Sequence, residues 1–382
     1  MMAYESINHA VEFHRAELRR LCDAIYQYPE LAFEETFAAE TLGEFLEEHG
    51  YISRIGVGQL QTAFTAVRGT GGPVVAFLAE YDALPELGHA CGHNLIATAA
   101  CGAALALASL PEEIAGEIRV VGCPAEEKGG GKALLIQSGT FRDVDVALMF
   151  HPGNETVLAP EYVGAQWRHI AFYGKAAHAG VAPETGLNAL EGLLSTFYHV
   201  NALRQQFPDG SGISGIITHG GDAANIVPHY AAGEFIARGF SQTALDQMVH
   251  YLETSATSAA MATGTRVEIS VPSPPYELLR TNQLMIERFE SYLSGLGFPI
   301  HHRRKRRRVG TDMGNVSQLI PAIHPVLAIS PLDVPNHTAE FARLAGGDAA
   351  FDVALVAAKT LACVAYDCLT DSEFLIEVRG TK

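Results

Sequence analysis

The side chains able to do chemistry fall in short clusters, each placed just after an apolar run. Tyr81-Asp82 and then Gly88-His-Ala-Cys-Gly-His follow residues 73–80 (PVVAFLAE). Pro124-Ala125-Glu126-Glu127 follows 118–123 (IRVVGC), His151 follows 144–150 (VDVALMF), and a loop holding Asp333 and His337 follows 325–329 (PVLAI). Cys91, His93, Glu127, His151 and His337 together offer sulfur, nitrogen and oxygen donors. That mixture suits zinc, manganese or cobalt, whereas calcium and magnesium take oxygen. Five ligands exceed what one tetrahedral ion needs and point to two ions sharing a ligand. Cys91 and His93, two apart across Gly92, can both reach a metal cluster from a tight turn. The adjacent Glu126 and Glu127 diverge, so one can bind metal while the other stays beside the water as general base. Asp82 can orient a ligand imidazole. His89, Cys101 and Cys123 read instead as packed residues.

The apolar runs that carry these clusters read as strands buried on both faces, and 95–110 as a helix of small residues against a sheet. Helices are expected over 8–28 and 35–49. This is an α/β domain with a largely parallel centre. In such a sheet the carboxyl ends of the strands line one crevice, so all four segments are expected at one edge of one sheet. The middle of the chain differs: strand 168–173, helix 187–207, strands 213–219 and 230–238, helix 243–263, strand 266–271. That order is βαββαβ, a ferredoxin-like unit inserted into the larger domain. A helix over 282–293 then resumes the α/β pattern. The expected division is 1–165 plus 274–382 for the metal-binding domain and 166–273 for the insertion. The insertion carries His178 in Gly174-Lys-Ala-Ala-His-Ala-Gly, Asn225 in Asn-Ile-Val-Pro, and Arg238 at a strand end. Arginine suits bidentate carboxylate recognition, and Asn and His can donate to an oxyanion or a substrate amide. Read alone, each is first a turn or surface residue.

The chain has 382 residues, 48% hydrophobic and 18% charged, which excludes a disordered, collagen-like or low-complexity protein. The net charge of -17 repels polyanions, so neither nucleic acid nor an anionic membrane is expected as a partner. Six scattered cysteines do not make a disulfide framework and fit a reduced compartment. The N-terminal stretch is amphipathic without an apolar signal core, and the uncharged run 95–111 falls short of a membrane span. The expectation is a soluble, cytoplasmic protein. The basic run 303–308 reads as a solvated strand or loop, or as recognition of an acidic partner or substrate group.

Glu80-Tyr-Asp-Ala-Leu-Pro, Gly88-His-Ala-Cys-Gly-His-Asn, Pro124-Ala-Glu-Glu, His151-Pro, Gly-Lys-Ala-Ala-His-Ala-Gly, Asn-Ile-Val-Pro and Gly310-Thr-Asp-Met-Gly-Asn-Val-Ser occur in that order. Together they resemble the aminoacylase and carboxypeptidase G-like metallopeptidase family. Within it they resemble the amidohydrolase branch, which includes p-aminobenzoyl-glutamate hydrolase, auxin-conjugate hydrolases and β-alanyl-lysine-type dipeptidases. The motifs span about residues 75 to 340. The resemblance implies a catalytic domain with a two-metal site, manganese or zinc, interrupted by a lid that also forms a homodimer interface. It makes Cys91, His93, Glu127, His151 and His337 the metal ligands and Glu126 the general base. It makes Asp82 the orienting acid, His178 an oxyanion donor reaching the neighbouring subunit, and Asn225 and Arg238 substrate contacts. Asn94 stands where many members have Asp, Lys128 and Lys132 flank a glycine run, and Gly310 replaces a serine. These departures bear on the substrate, a small amide. The competing readings are a hydrolytic deaminase or other C–N hydrolase, a non-catalytic metal- or ligand-binding protein, and a thiol enzyme using Cys91.

Overall fold

The computed structural model describes residues 2–110 and 114–381, and the chain divides into two compact units. One comprises Met1–Glu161, Leu279–Arg307 and Asp312–Lys382; the other Tyr162–Leu278 with Arg308–Thr311. The first contains strands β1 (Ile52–Ile55), β2 (Phe64–Thr70), β3 (Val74–Glu80), β4 (Gly116–Cys123), β5 (Val146–Leu148), β6 (His151–Gly153) and β7 (Val157–Tyr162). The second contains β8 (Gly164–Tyr173), β9 (Gly212–His219), β10 (Tyr230–Gly239) and β11 (Arg266–Ser270), after which β12 (His302–Arg307), β13 (Ala322–Ile323) and β14 (Val326–Ala328) return to the first.

The main sheet of the first unit has the order β1-β2-β4-β3-β5-β13. Its centre is parallel, β4 and β5 flanking β3, while β2 pairs antiparallel with β4 and with the edge strand β1. β3 is apolar almost throughout because both its faces are covered. One cover is the helix His93–Ala108, built of small residues and buried along its length. The helix Asp348–Thr370 is long and apolar enough to cross a membrane, yet it is mostly buried and joins the same core. The N-terminal helix expected over 8–28 is two helices, Met2–Phe13 and Arg15–Gln27, meeting at His14.

One expectation needs correction: the four segments do not share one sheet. The run 144–150 supplies only β5, and the chain then starts β6, in a second sheet of order β12-β7-β14-β6. Likewise β13 lies in the main sheet and β14 in the second. Both parallel partners keep one register across the change, Ala147 opposite Ala322 and His151 opposite Val326. Between them, Met149 and His151 still donate to the carbonyls of Ile323 and Pro325, at 3.2 and 2.8 Å. Pro325 has no N–H to return, so the ladder is interrupted there. His151 therefore opens, and His337 follows, a second sheet that continues the register of the first.

The second unit has the antiparallel order β11-β8-β10-β9, the ferredoxin-like arrangement, with helices Ala189–Leu203 and Gln242–Thr263. Its own core is built on Ile170, Phe172, Leu193, Phe235 and Leu252. The basic run forms β12, at the edge of the second sheet. Its charges meet acids of the same unit: Arg303 with Glu290 at 2.6 Å, Arg306 with Glu161 at 3.3 Å, and Lys305 with Glu155. It is thus a solvated edge strand.

Candidate metal centre

Two turns bring ligands to the ends of β3 and β4. After β3 the chain reaches Cys91-Gly92-His93, where Gly92 takes φ 76°. A Cβ at Gly92 would stand 2.6 Å from the Pro152 ring, so only glycine lets Cys91 and the start of the helix turn this tightly beside His151. After β4, Ala125 is also left-handed, at φ 58°. That strained conformation turns Glu126 and Glu127 into different surroundings. It is held by Glu35, whose buried carboxyl group accepts the Ala125 N–H at 2.8 Å and the Thr62 hydroxyl at 2.7 Å. His337, at φ 66°, is fixed by its N–H on the Ala90 carbonyl at 2.8 Å.

The ligand atoms converge. Cys91, His93 and His151 form one group within 4.8 Å, Cys91, Glu127 and His337 another, and His93, Glu126 and Glu127 a third. Cys91 Sγ lies 3.5 Å from His151 Nε2, and Glu127 Oε1 lies 3.3 Å from His337 Nε2 and 3.8 Å from His93 Nε2. The outer nitrogens are committed elsewhere. His93 Nδ1 donates to Asp82, 2.8 Å from its carbonyl and 3.0 Å from Oδ1, and His151 Nδ1 donates to the Pro152 carbonyl at 2.6 Å. Both Nε2 atoms thereby face the cluster. Burial opposes a charge on His93, but Asp82 and Cys91 push its ring well above the usual range, so a metal ion there takes the place of the Nε2 proton. Asp82 also accepts the Glu127 N–H at 2.9 Å, so one carboxylate orients two ligands. His93 Nε2 and Glu80 Oε2 are buried without a hydrogen-bond partner among the described residues. Orphaned donors of this kind are costly unless a cation meets them.

The two neighbouring glutamates are driven in opposite directions. Burial, with Glu80, Glu127 and Asp312 nearby, pushes the Glu126 carboxyl well above the usual carboxylate range. Burial acts on Glu127 too, but the His337 hydrogen bond and the charge of His93 outweigh it and hold Glu127 at about 2. Carboxylates separated in this way mark an acid–base residue beside a permanently charged one. Burial lowers His151 to about 4, keeping it neutral. Burial also pushes the Cys91 thiol up, so without a cation it is no thiolate, which argues against Cys91 as a nucleophile.

Behind Glu126 lies a group that sequence reasoning did not assign. Lys132 is fully buried, donating to Glu80 and, at 2.5 Å, to Asp312. Glu80, Glu126 and Asp312 form a further carboxylate group. The sequence marks Lys132 only as a departure beside a glycine run that bears on the substrate; it is instead a buried lysine in an otherwise uncharged helical segment, GKALLIQS, paired with carboxylates. Asn336, donating 3.8 Å to Cys91 Sγ and 3.2 Å to the Pro152 carbonyl, was also missed, although it precedes His337. Asn94 faces away, donating to Cys22 and to the Ala345 carbonyl. His89 is a packed residue bonded to the Ile25 carbonyl at 3.0 Å.

Within the second unit, His178 and Asn225 are brought together: Ala179 N–H donates to the Asn225 carbonyl at 2.9 Å, and His178 bridges to Ile226. Both are exposed. Arg238 is not beside them. It lies at the other end of β10, eight residues from Tyr230, or about 26 Å at the usual strand rise. Its guanidinium lies 3.4 Å from Ser214 Oγ.

The model of peptidase family M20/M25/M40 matches residues 76–354, which include every ligand above. The chain belongs to this family. It is accordingly a metallohydrolase of amide bonds. Among curated proteins, this M20 chain is 36% identical to the mouse Xaa-Arg dipeptidase, over 99% of its own length and 90% of the relative's. It is 35% identical to one component of the Escherichia coli p-aminobenzoyl-glutamate hydrolase, over 69% of its length and 60% of that protein's. In fold it is similar to the aminobenzoyl-glutamate utilization protein of Klebsiella pneumoniae, with TM-score 0.76 at 18% identity, covering 96% and 99% of the two chains. It is also similar to a dinuclear metal-binding M20 peptidase of Bacillus subtilis, with TM-score 0.66 at 18% identity over 92% and 99%.

Proposed function

We propose that this chain hydrolyses a small dipeptide or N-acyl amino acid, with Glu126 as general base and a pair of Mn²⁺ or Zn²⁺ ions held by Cys91, His93, Glu127, His151 and His337. The observation that carries the reading is the opposed environment of Glu126 and Glu127 beside orphaned, buried donors. When bound, such ions polarise a carbonyl and lower the pKa of a water. Glu126 takes the proton of the attacking water at its carboxylate and passes it to the leaving nitrogen. Asp82 keeps His93 and Glu127 aimed throughout.

In the lid, His178 Nδ1 accepts the Gly180 N–H at 3.2 Å, which leaves the ring proton on Nε2 as a donor for the oxyanion. Arg238 takes the substrate's free carboxylate, and Asn225 its amide. The separation along β10 exceeds the span of a dipeptide, so one lid does not supply both His178 and Arg238 to one substrate. A homodimer resolves this, with His178 of the partner subunit completing each site. The edge strand β9 favours such pairing, since Ile216 is 62% and Ile217 43% exposed on it. Dipeptides ending in arginine are the first substrates to try, given the named relative and a net charge of -17 that attracts cations.

Chelator-stripped protein is expected to be inactive on a panel of such dipeptides and N-acyl amino acids. Mn²⁺ or Zn²⁺ should restore release of free amino acids. Ammonia in place of amino acids would select the deaminase reading, and full activity after stripping would refute a metal-dependent one.

A further inference from the structure

A second convergence of ligand atoms lies away from that centre. His14 precedes the helix Arg15–Gln27, Glu17 stands in its first turn, and His49 follows the helix Thr36–Glu48. Glu17 Oε2 is 3.1 Å from His14 Nδ1 and 3.1 Å from His49 Nε2. The other nitrogen of each ring decides what these contacts are. His49 Nδ1 is 2.7 Å from the Phe45 carbonyl, which only accepts, so that nitrogen carries a proton. His14 Nε2 is 3.3 Å from Ser109 Oγ, whose own proton goes to the Leu105 carbonyl at 2.8 Å, so His14 Nε2 is also a donor. In the neutral rings, both remaining nitrogens then point lone pairs at one anionic oxygen. Only added positive charge makes that arrangement favourable. It comes either from two imidazolium rings with centroids 5.4 Å apart, which repel each other, or from one cation between all three.

We propose that His14, Glu17 and His49 bind a divalent transition-metal ion, zinc foremost, at a site separate from the catalytic centre. Each imidazole donates its far N–H to an oxygen, the arrangement that metal-bound histidines adopt. Two nitrogens and a carboxylate suit zinc or copper and not calcium or magnesium. Ligand atoms around a tetrahedral zinc with bonds of about 2.0–2.1 Å stand about 3.3 Å apart, close to the two spacings found here. The His14 and His49 side chains are 12% and 21% exposed and Glu17 41%, which leaves the outer position to water. His14 lines one surface groove with Glu5 and His9, and Glu17 and His49 line another with Glu44, Glu48 and Arg20, so access is open, with more acids than bases along it. Ser109 caps the far end of the 16-residue helix that starts at His93, about 24 Å away along its axis. The site does not depend on the hydrolytic reading.

The test is the zinc content of protein loaded with excess Zn²⁺ and freed of loose metal by gel filtration. Wild type is expected to hold one ion more per chain than His49→Gln or Glu17→Gln, with hydrolytic activity unchanged in both variants. Should either fold poorly, His14→Gln removes the third ligand. The same difference of one ion is expected in a Glu127→Ala background, so a wrong count at the catalytic centre changes the total but not the difference. Equal zinc in wild type and the variants overturns the proposal, as does a loss of zinc that appears only when Glu127 is intact.

Discussion

The site residues of the first unit and those of the second are held in opposite ways. Around Cys91 and His93 the buried groups are braced by others: Asp82 on His93 and Glu127, Asn336 on Cys91, the Pro152 carbonyl on His151, Glu35 on the turn before Glu126. In the second unit, His178 and Asn225 sit on exposed loops tied by backbone hydrogen bonds, and half-buried Arg238 makes one side-chain hydrogen bond among the described residues, to Ser214 at 3.4 Å. Buried charges need fixed partners before any ligand arrives. On the function proposed above, His178, Asn225 and Arg238 meet the substrate from a lid and gain from being free to arrive after it. Losses in the first unit should therefore appear in turnover and stability together, and losses in the second in turnover alone.

The largest effect is expected for Glu126→Gln, with turnover falling about 10²–10⁴-fold, the range for a positioned general base. Metal content should be unchanged, because the close contacts to His93 and His337 are made by Glu127, whereas Glu126 is kept as the base. Steady-state kinetics with elemental analysis of the same sample check this. Full activity would remove Glu126 from the chemistry and erase the distinction between the paired glutamates.

Next comes His178→Ala, expected to lower turnover about 10²–10³-fold, as loss of an oxyanion donor does, with no change in melting temperature. Mixing His178→Ala with Glu126→Gln chains and allowing exchange should restore activity, since on the proposed homodimer a hybrid contains one site with both groups. Mixtures that stay inactive would place His178 in its own subunit's site or outside the reaction.

Lys132→Met tests the first unit from the inside. The substitution leaves Glu80 and Asp312 buried without their cation, which should cost about 3 kcal/mol of stability, read by urea unfolding. It should also move the acidic limb of the pH–rate profile upward, because Glu126 then faces two uncompensated carboxylates. A stability loss with an unchanged pH profile would make Lys132 purely structural. This residue shows where sequence reasoning ran out. Cys91, His93, Glu127, His151 and His337 were legible because each follows an apolar run, and strand ends gather ligands. The inserted βαββαβ unit was legible from its element order. Lys132 pairs with Asp312, 180 positions away, and Glu35 with Ala125, 90 away. No local pattern records such partners. The transfer from β5 to β6 was equally hidden, since Met149 and Phe150 continue the apolar run without a break.

The smallest effect is expected for Glu35→Gln, and its pH dependence is the informative part. Burial raises the Glu35 carboxyl from 4.5 to about 7 in the folded chain. The folded state therefore keeps a proton that the unfolded chain releases near pH 4.5. Stability from that proton is complete below the unfolded value and is lost as pH rises through 7. Over this window wild type should weaken by at most about 3 kcal/mol, the shift converted at about 1.4 kcal/mol per unit. Glutamine has no proton to lose, and its carbonyl can still accept the Ala125 N–H. The variant should thus lack the decline, gaining on wild type between pH 5 and pH 8 in urea midpoints, while turnover changes only a few-fold. An equal gap at both pH values would mean that Glu35 is already ionised. The left-handed turn at Ala125 would then be held by a charged carboxylate, and the first unit's bracing would rest on charge as far out as this residue.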